Sequence, residues 1–560
     1  MIGKCLVNGT AAAPLLYSPV SLSFWGGVNP QSGEIVDCHH PLRGESIAHR
    51  ILAIPCSRGS CSGSTVMLEL LLNGCAPAGL IVEQPEEILT LGVLVAQVLF
   101  HRSLPVIILS HNFHHLSGYT YASIDEGQVS LSETPLSVPQ SPPCLSSRSR
   151  IDLSPSDQAI LAGEKGPAAK MALEIVVEFA AMQGAPALID VTRAHVDACI
   201  YTGPASLRFA QTFQSLGARF VLPTTLNAIS IDQRRWRELG VDPDLAAQAG
   251  TLANIYLAMG AQPSFTCAPY TLDDAVPVVG ENIGWAESNA VVYANSVLGA
   301  HTQKYPDFVD VCIALTGRAP SAGCHTVDGR RPAVAIHLPL VEAIDDAIFA
   351  VLGYLVGKHA QHRVPWITGM QHLQPRRMHL KAFSAAFGTT ASAAMYHMDG
   401  VTPEADQFAE DASHLPRIDL QPAEIAHCRC ALTSATDPSV GLVSLGNPHF
   451  SLEEFEALRP LCIGRRKNPA VEFVITTSRS TYEAAATVGI VDVLEEFGAV
   501  IITDTCWCML GEPVVPPGVR NLMTNSAKYA HYAPGMVHRG VHFGSLAECV
   551  EVSVLGHRSA

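Results

Sequence analysis

The eight residues Ser57 to Ser64 read Ser-Arg-Gly-Ser-Cys-Ser-Gly-Ser and concentrate four hydroxyls, two glycines and a guanidinium. Glycine lets backbone amides come close to a ligand, and amides, hydroxyls and the positive end of a helix can hold a carboxylate or an alkoxide. A plain turn is the competing reading; the place of the segment, between a strand-like and a helix-like run, favours a site. The Walker lysine is missing and the glycine spacing differs from a phosphate loop, so nucleotide binding does not follow.

Cysteines in polar, turn-like settings form a second set: Thr266-Cys267-Ala268-Pro269-Tyr270, Gly323-Cys324-His325 and Asp504-Thr505-Cys506-Trp507-Cys508. Thiolates ligate iron-sulfur clusters, and a cluster with an open iron position can bind a substrate hydroxyl. Zinc competes, because His325 adjoins Cys324 and further histidines stand at 301, 397 and 449, although zinc motifs are usually more tightly spaced. Polar residues beside apolar runs form a third set, Thr224-Thr225-Leu226-Asn227, Glu287-Ser288-Asn289, Asn295-Ser296 and Asn525-Ser526-Ala527-Lys528. Such side chains can orient a small polar ligand or merely cap turns. A serine hydrolase is unsupported, since no Gly-x-Ser-x-Gly elbow follows a strand.

The elements that must position these groups read as α/β. Strands are expected at 51–55 and 104–109, with a helix over Thr65–Asn73 that stops at Gly74. From 133 to 150 prolines and serines displace apolar periodicity, as in a solvated linker. The expected organisation is a small domain at 1–132, a linker at 133–150 and a large domain at 151–560. Within the large domain, helical segments (168–182, 341–357, 481–497) alternate with strand-like runs at 473–477 and 499–504, an order that favours parallel α/β layers.

Composition limits the partners. Acidic residues outnumber basic ones, 51 to 35, and no basic stripe interleaved with aromatics occurs, so the net charge repels nucleic acid and anionic lipid and a small-molecule partner is expected. The N-terminus lacks an apolar core followed by a cleavage site, and no apolar run reaches the roughly 20 residues of a membrane span. A soluble cytoplasmic protein is therefore expected, its 16 cysteines reduced. Oligomeric state is not legible, and a monomer is compatible with everything above.

Several segments together resemble the aconitase X family in its fused, single-chain form, over nearly the whole chain. In the small domain these are SLSFWGGVNP at 21–30, DCHHPL at 37–42 and RGSCSGS at 58–64. In the large domain they are LPTTLN at 222–227, TCAPY at 266–270, GWAESNAVVYANSVLGAHT at 284–302, DTC at 504–506 and TNSAK at 524–528. The resemblance implies a small swivelling β/α domain joined to a large, multi-lobed, aconitase-like α/β domain. It also implies dehydration of a small hydroxy acid at an iron-sulfur cluster, 2Fe-2S in kind. Cys267 and Cys506 match ligand positions. The two-subunit members carry Gly-Cys-Pro-His where this chain has Gly446-Asn447-Pro448-His449, so Cys324 is the expected third ligand.

Fused members resemble cis-3-hydroxy-L-proline dehydratases, which yield 1-pyrroline-2-carboxylate; separately encoded subunits resemble mevalonate 5-phosphate dehydratases. In the cis isomer the α-hydrogen lies opposite the leaving hydroxyl, which calls for a base and a Lewis acid on opposed sides of a cleft between the domains. Ser62 is the expected base and Ser60 the second choice, with Arg58, loop amides and a helix N-terminus stabilising the alkoxide. Ser64, Thr225, Asn227, Asn289, Asn525 and Ser526 are expected to hold the carboxylate and ring nitrogen, with Lys528 or His301 as charge partner. The competing readings are mevalonate 5-phosphate or another hydroxy acid as substrate, and a non-catalytic hydroxy-acid-binding protein.

Overall fold

The short β-branched runs of the first 132 residues become strands of one sheet: β1 (Lys4–Val7), β2 (Thr10–Tyr17), β3 (Ile51–Ile54), β4 (Gly79–Val82), β5 (Val106–Ile108), β6 (Tyr121–Asp125) and β7 (Gln128–Ser132). The structure, a computed structural model, describes residues 1–139, 151–340 and 345–558. The sheet order is β1-β5-β4-β3-β2-β6-β7. β2 to β5 run parallel, while β1 pairs antiparallel with β5, and β6 and β7 extend the β2 edge antiparallel. The sheet curls, because Ile2, just ahead of β1, bridges Gln128 of β7, and the N-terminal amine donates to the Val129 carbonyl at 2.6 Å. Such curling leaves less edge open to foreign strands. Helices α1 (Gly63–Asn73) and α2 (Ile88–Phe100) pack together beside this sheet. α1 ends as expected at Gly74, whose φ of 72° is the left-handed cap that glycine takes without strain.

The chain divides into two compact units. One is Met1–Val191 with Thr202–Leu222 and Tyr305–Ala322; the other is Thr192–Tyr201 with Pro223–Lys304 and Gly323–Ala560. The first therefore takes in more than the expected 1–132, because buried polar groups of α1 need partners that lie far along the chain. Glu69, on an otherwise apolar helix, accepts from the Ala205 amide at 2.7 Å and so caps the helix Pro204–Ser215. A Cβ at Gly203 would lie 2.5 Å from the Glu69 carboxylate, so glycine makes this approach sterically open. The expected linker carries no helix or strand as far as residue 139, and 140–150 lie outside the described residues.

The second unit contains three parallel sheets. The largest has five strands in the order Val500–Thr503, Glu472–Thr477, Leu442–Leu445, Asn521–Thr524 and Gly540–Phe543. A four-stranded sheet is built on Val334–His337 and Pro365–Thr368, and a three-stranded one on Ala194–Val196, Thr224–Leu226 and Gly284–Trp285. The expected helix at 481–497 is two helices, Arg479–Thr487 and Ile490–Phe497, interrupted at Gly489 with φ 69°. The helix expected at 341–357 runs Ala347–Ala360, and residues 341–344 lie outside the described residues. Among the described residues no helix is long and apolar enough to cross a membrane.

A second buried carboxylate of the first unit, Glu86, accepts from the amides of Leu89 and Thr90 in the first turn of α2, at 2.8 and 3.0 Å, and from the Ser57 hydroxyl. Burial drives its pKa from 4.5 to about 7, outweighing those hydrogen bonds, and the neighbouring Glu87 charge acts in the same direction as burial. A raised carboxyl pKa means the folded form binds more protons than the unfolded chain between about pH 4.5 and 7, so the stability from this group is lost across that window. Glu86→Gln should remove roughly 3 kcal/mol of that pH dependence, read as a flatter plot of urea midpoint against pH than wild type gives.

Candidate active site

The serine-rich turn leaves β3 and enters α1 at Ser62, the residue preceding the first helical turn. Ser62 does not cap the helix with its side chain; its hydroxyl accepts from Ser60 Oγ at 3.3 Å, and its amide donates to the same oxygen at 3.3 Å. Ser62 is 1% exposed. Gly59 holds φ 85°, a left-handed turn that other residues rarely adopt. Arg58, expected to support an alkoxide, binds Asp37 at 2.6 Å and the Ser21 carbonyl at 3.0 Å. Ser64 donates to the Cys61 carbonyl at 3.1 Å, so it shapes the turn from within.

In the second unit three thiols meet. Cys506 hydrogen-bonds with both Cys267 and Cys508, and all three are buried. Amide donors surround the sulfurs: the His449 backbone N–H reaches Cys267 Sγ at 3.2 Å and Asn447 Nδ2 reaches Cys508 Sγ at 3.0 Å. The hydrogen bond from Cys506, followed by the Lys528 ammonium and Asn447, holds Cys508 down at about 7 against burial, while the Cys506 thiol is pushed well up. Among the described residues no three His, Cys, Asp or Glu side chains form a ready cage for a single metal ion. Three clustered thiols with N–H···S donors have the donor chemistry of an iron-sulfur cluster site.

The strand ends explain why these residues converge. In the five-stranded sheet Leu442–Leu445 and Asn521–Thr524 are neighbours from which the chain progresses to opposite edges, the switch point where open α/β sheets form a crevice. Gly446-Asn447 and Asn525-Ser526 leave the carboxyl ends of these two strands and line a small cavity with Lys528, Lys381 and Glu454. Gly446 must be glycine, since its φ is 93° and a Cβ would fall 2.1 Å from the Thr476 carbonyl. The turn bearing Cys506 is pinned by Asp504, fully buried with φ 69°, which takes a two-pronged ion pair from Arg479 at 2.6 Å on each oxygen.

Lys528 Nζ donates to Glu287 Oε1 at 2.7 Å, and both side chains are buried. Burial acts to lower the lysine pKa, but the charges of Glu287, Cys508 and Cys267 hold it well above its usual value. Glu287 also accepts from the amides of Asn289 and Ala290, at 2.9 and 3.0 Å, and from the Asn289 side chain. Asn289 in turn donates to the Cys267 carbonyl at 2.9 Å and accepts from the Tyr270 hydroxyl at 2.7 Å. A continuous polar chain thus runs from the ammonium to the backbone of a thiol-bearing turn.

The other expected site residues of this unit have partners of their own, and Thr225 and Asn227 flank Leu226, whose carbonyl accepts from the amide of Thr266, next to Cys267, at 3.1 Å. Thr225 contacts His195 Nδ1 at 2.8 Å, and Asn227 is committed to Asp197 and to the Ala228 amide. His301 pairs with Glu404 at 3.4 Å, beside Arg330. Cys324 is outside the thiol group: it packs with Val364 and Met395, and burial pushes its thiol to about 11. The third sulfur is Cys508, which touches Asn447. Its nearness to Cys506 in sequence was the only available signal. The histidines of the zinc reading are engaged too: the His449 ring bonds Thr266 and the Thr505 carbonyl, at 3.1 and 2.8 Å, and burial lowers its pKa to about 4. His325 contacts Asn282 and His397 donates to the Arg330 carbonyl.

Comparison with known proteins agrees with this architecture. The family models of the aconitase X swivel, first, second and third domains match residues 1–132, 150–328, 332–429 and 440–554. A cis-3-hydroxy-L-proline dehydratase of Pseudomonas aeruginosa is 52% identical over 100% of this chain and 97% of its own length. One from Hypocrea jecorina is 49% identical over 99% of this chain and 95% of its own. The crystal structure of Thermococcus kodakaraensis aconitase X in its holo-form superposes with a TM-score of 0.65 at 29% identity, covering 72% of this chain and all of that one. Matched in order along its length by all four domain models and by full-length relatives, the chain belongs to the aconitase X family.

Proposed function

We propose that this hydro-lyase removes water from cis-3-hydroxy-L-proline to give 1-pyrroline-2-carboxylate. The observation that carries the reading is the meeting of three buried thiols with a buried ammonium beside the switch-point crevice, in a chain so similar from end to end to dehydratases of that name. The donor set suits a cluster held by Cys267, Cys506 and Cys508, 2Fe-2S in kind, which when bound would supply Lewis acidity toward the departing hydroxyl.

The chain's own residues account for the remaining work. Ser62 Oγ, as the alkoxide, takes the α-proton from the ring face opposite the hydroxyl; the C–O bond breaks as the double bond forms, and the departing hydroxide takes up a proton from solvent to leave as water, Ser62 later returning its proton to solvent. The resulting enamine then tautomerises to the imine product. Ser60 Oγ, at 3.3 Å, and the amide end of the eleven-residue α1 stabilise the seryl oxygen as it carries charge. Lys528, Asn525 and Ser526, which line the crevice, bind the carboxylate. Arg58 acts one step removed, by holding the turn through Asp37.

Purified anaerobically, the protein should release 1-pyrroline-2-carboxylate from cis-3-hydroxy-L-proline, and iron and sulfide should be found together by chemical analysis. Ser62→Ala should lower kcat by about 10²–10⁴-fold, the usual contribution of a general base, with the visible cluster absorbance retained. A fully active Ser62→Ala would take Ser62 out of the reaction. Cys508→Ser should lose iron and absorbance whereas Cys324→Ser keeps both; the reverse pattern would return the third ligand to Cys324.

A further inference from the structure

The turn around Ser62 is held by a residue from another part of the chain. Asp307, 1% exposed, meets it at three points: its carboxylate Oδ2 accepts from Thr65 Oγ1 at 2.6 Å, its carbonyl accepts from Ser64 Oγ at 3.4 Å, and its amide donates to the Cys61 carbonyl at 3.5 Å. These contacts bracket Ser62 on both sides along the chain, at residues 61, 64 and 65.

Asp307 is itself set rigidly. The next residue, Phe308, is fully buried with φ 83°, a left-handed conformation that bulky side chains avoid unless their surroundings impose it. Its ring lies 4.5 Å from that of Phe209, and Tyr305 packs against Phe179. The helix that follows, Val309–Thr316, packs on the helix Pro167–Gln183. Backbone strain maintained by aromatic packing is how folds hold a group in place for function.

We propose that Asp307 is a positioning residue for the seryl base, holding Ser62 Oγ on the line of the α-proton through Cys61, Ser64 and Thr65. The inference rests on the reading of Ser62 as base. Its consequence is kinetic: with Asp307 truncated, substrate and cluster bind as before, but the proton transfer slows, since misplacing a base by about 1 Å costs on the order of 10²-fold.

The test uses the full-length holoprotein with cis-3-hydroxy-L-proline and its α-deuterated form, comparing Asp307→Ala, Thr65→Val, Thr65→Ser and the Asp307→Ala/Thr65→Val pair. Expected are a fall in kcat of at least about tenfold for Asp307→Ala with KM within about twofold, and an unchanged cluster spectrum. The isotope effect on kcat should rise as proton abstraction becomes limiting. The double variant should be no slower than Asp307→Ala alone, and Thr65→Ser should recover most of what Thr65→Val loses. Wild-type kcat in Asp307→Ala, multiplicative losses in the pair, or a changed melting temperature with no change in isotope effect would each overturn the assignment. If Asp307→Ala does not fold, Asp307→Asn and Thr65→Val carry the same comparison. Ser62→Ala in parallel separates the two failures: an active Ser62→Ala ends the base assignment itself, whereas an inactive one beside an unimpaired Asp307→Ala ends only the positioning role.

Discussion

The ion pair between Lys528 and Glu287 is the interaction on which the large unit's site depends. Two buried charges at 2.7 Å must be fully partnered, because removing one partner of such a pair costs about 3–5 kcal/mol. The partnering is met by the site itself. Glu287 spends its remaining capacity on Asn289 and on the first amides of the helix Ser288–Tyr293, and Asn289 passes the constraint to the Cys267 carbonyl and the Tyr270 hydroxyl. Lys528 places positive charge beside Cys508 and, after the hydrogen bond from Cys506, helps hold that thiol down at about 7. One ion pair therefore ties the register of three separate turns to the electrostatics of the thiols.

Parallel sheets make this convergence geometrically natural. Turns at the carboxyl ends of parallel strands all leave on the same side, so Gly446-Asn447, Asp504 to Cys508 and Asn525 to Lys528 become neighbours although up to 82 residues separate them in the chain. The same ends accumulate unusual backbone, with positive φ at Glu287, Gly446 and Asp504. Each is held by a buried hydrogen bond or ion pair, as strained residues at functional sites must be. The first unit follows a related rule with different parts: the serine turn leaves the carboxyl end of β3, and buried acids at 69, 86 and 307 brace α1, α2 and the turn between β3 and α1.

Much of this was legible from local chemistry. The serine turn between strand and helix and the α1 stop at Gly74 follow from residue types within a few positions of one another, whereas Cys267 and Cys506 were singled out by the family resemblance. Expectation and structure part where distant chain decides. Cys324 sits in a turn beside histidine and has the look of a ligand, yet its neighbours are Val364 and Met395. Asn447 was expected to break the ligand motif; in space it lies against Cys508. His301, expected with Lys528 as a candidate charge partner for substrate, faces Glu404 at 3.4 Å.

By itself the sequence determined the α/β class, the family, the serine-rich turn and the kinds of atom available for chemistry, because propensities, turn signals and motif spacing act over a few residues. Only the tertiary structure decided which cysteine joins the other two, which acid clasps Lys528, and that Asp307 braces the Ser62 turn. Those outcomes turn on which strand ends lie side by side and which buried charges must find partners, and both are settled by the packing of segments hundreds of residues apart.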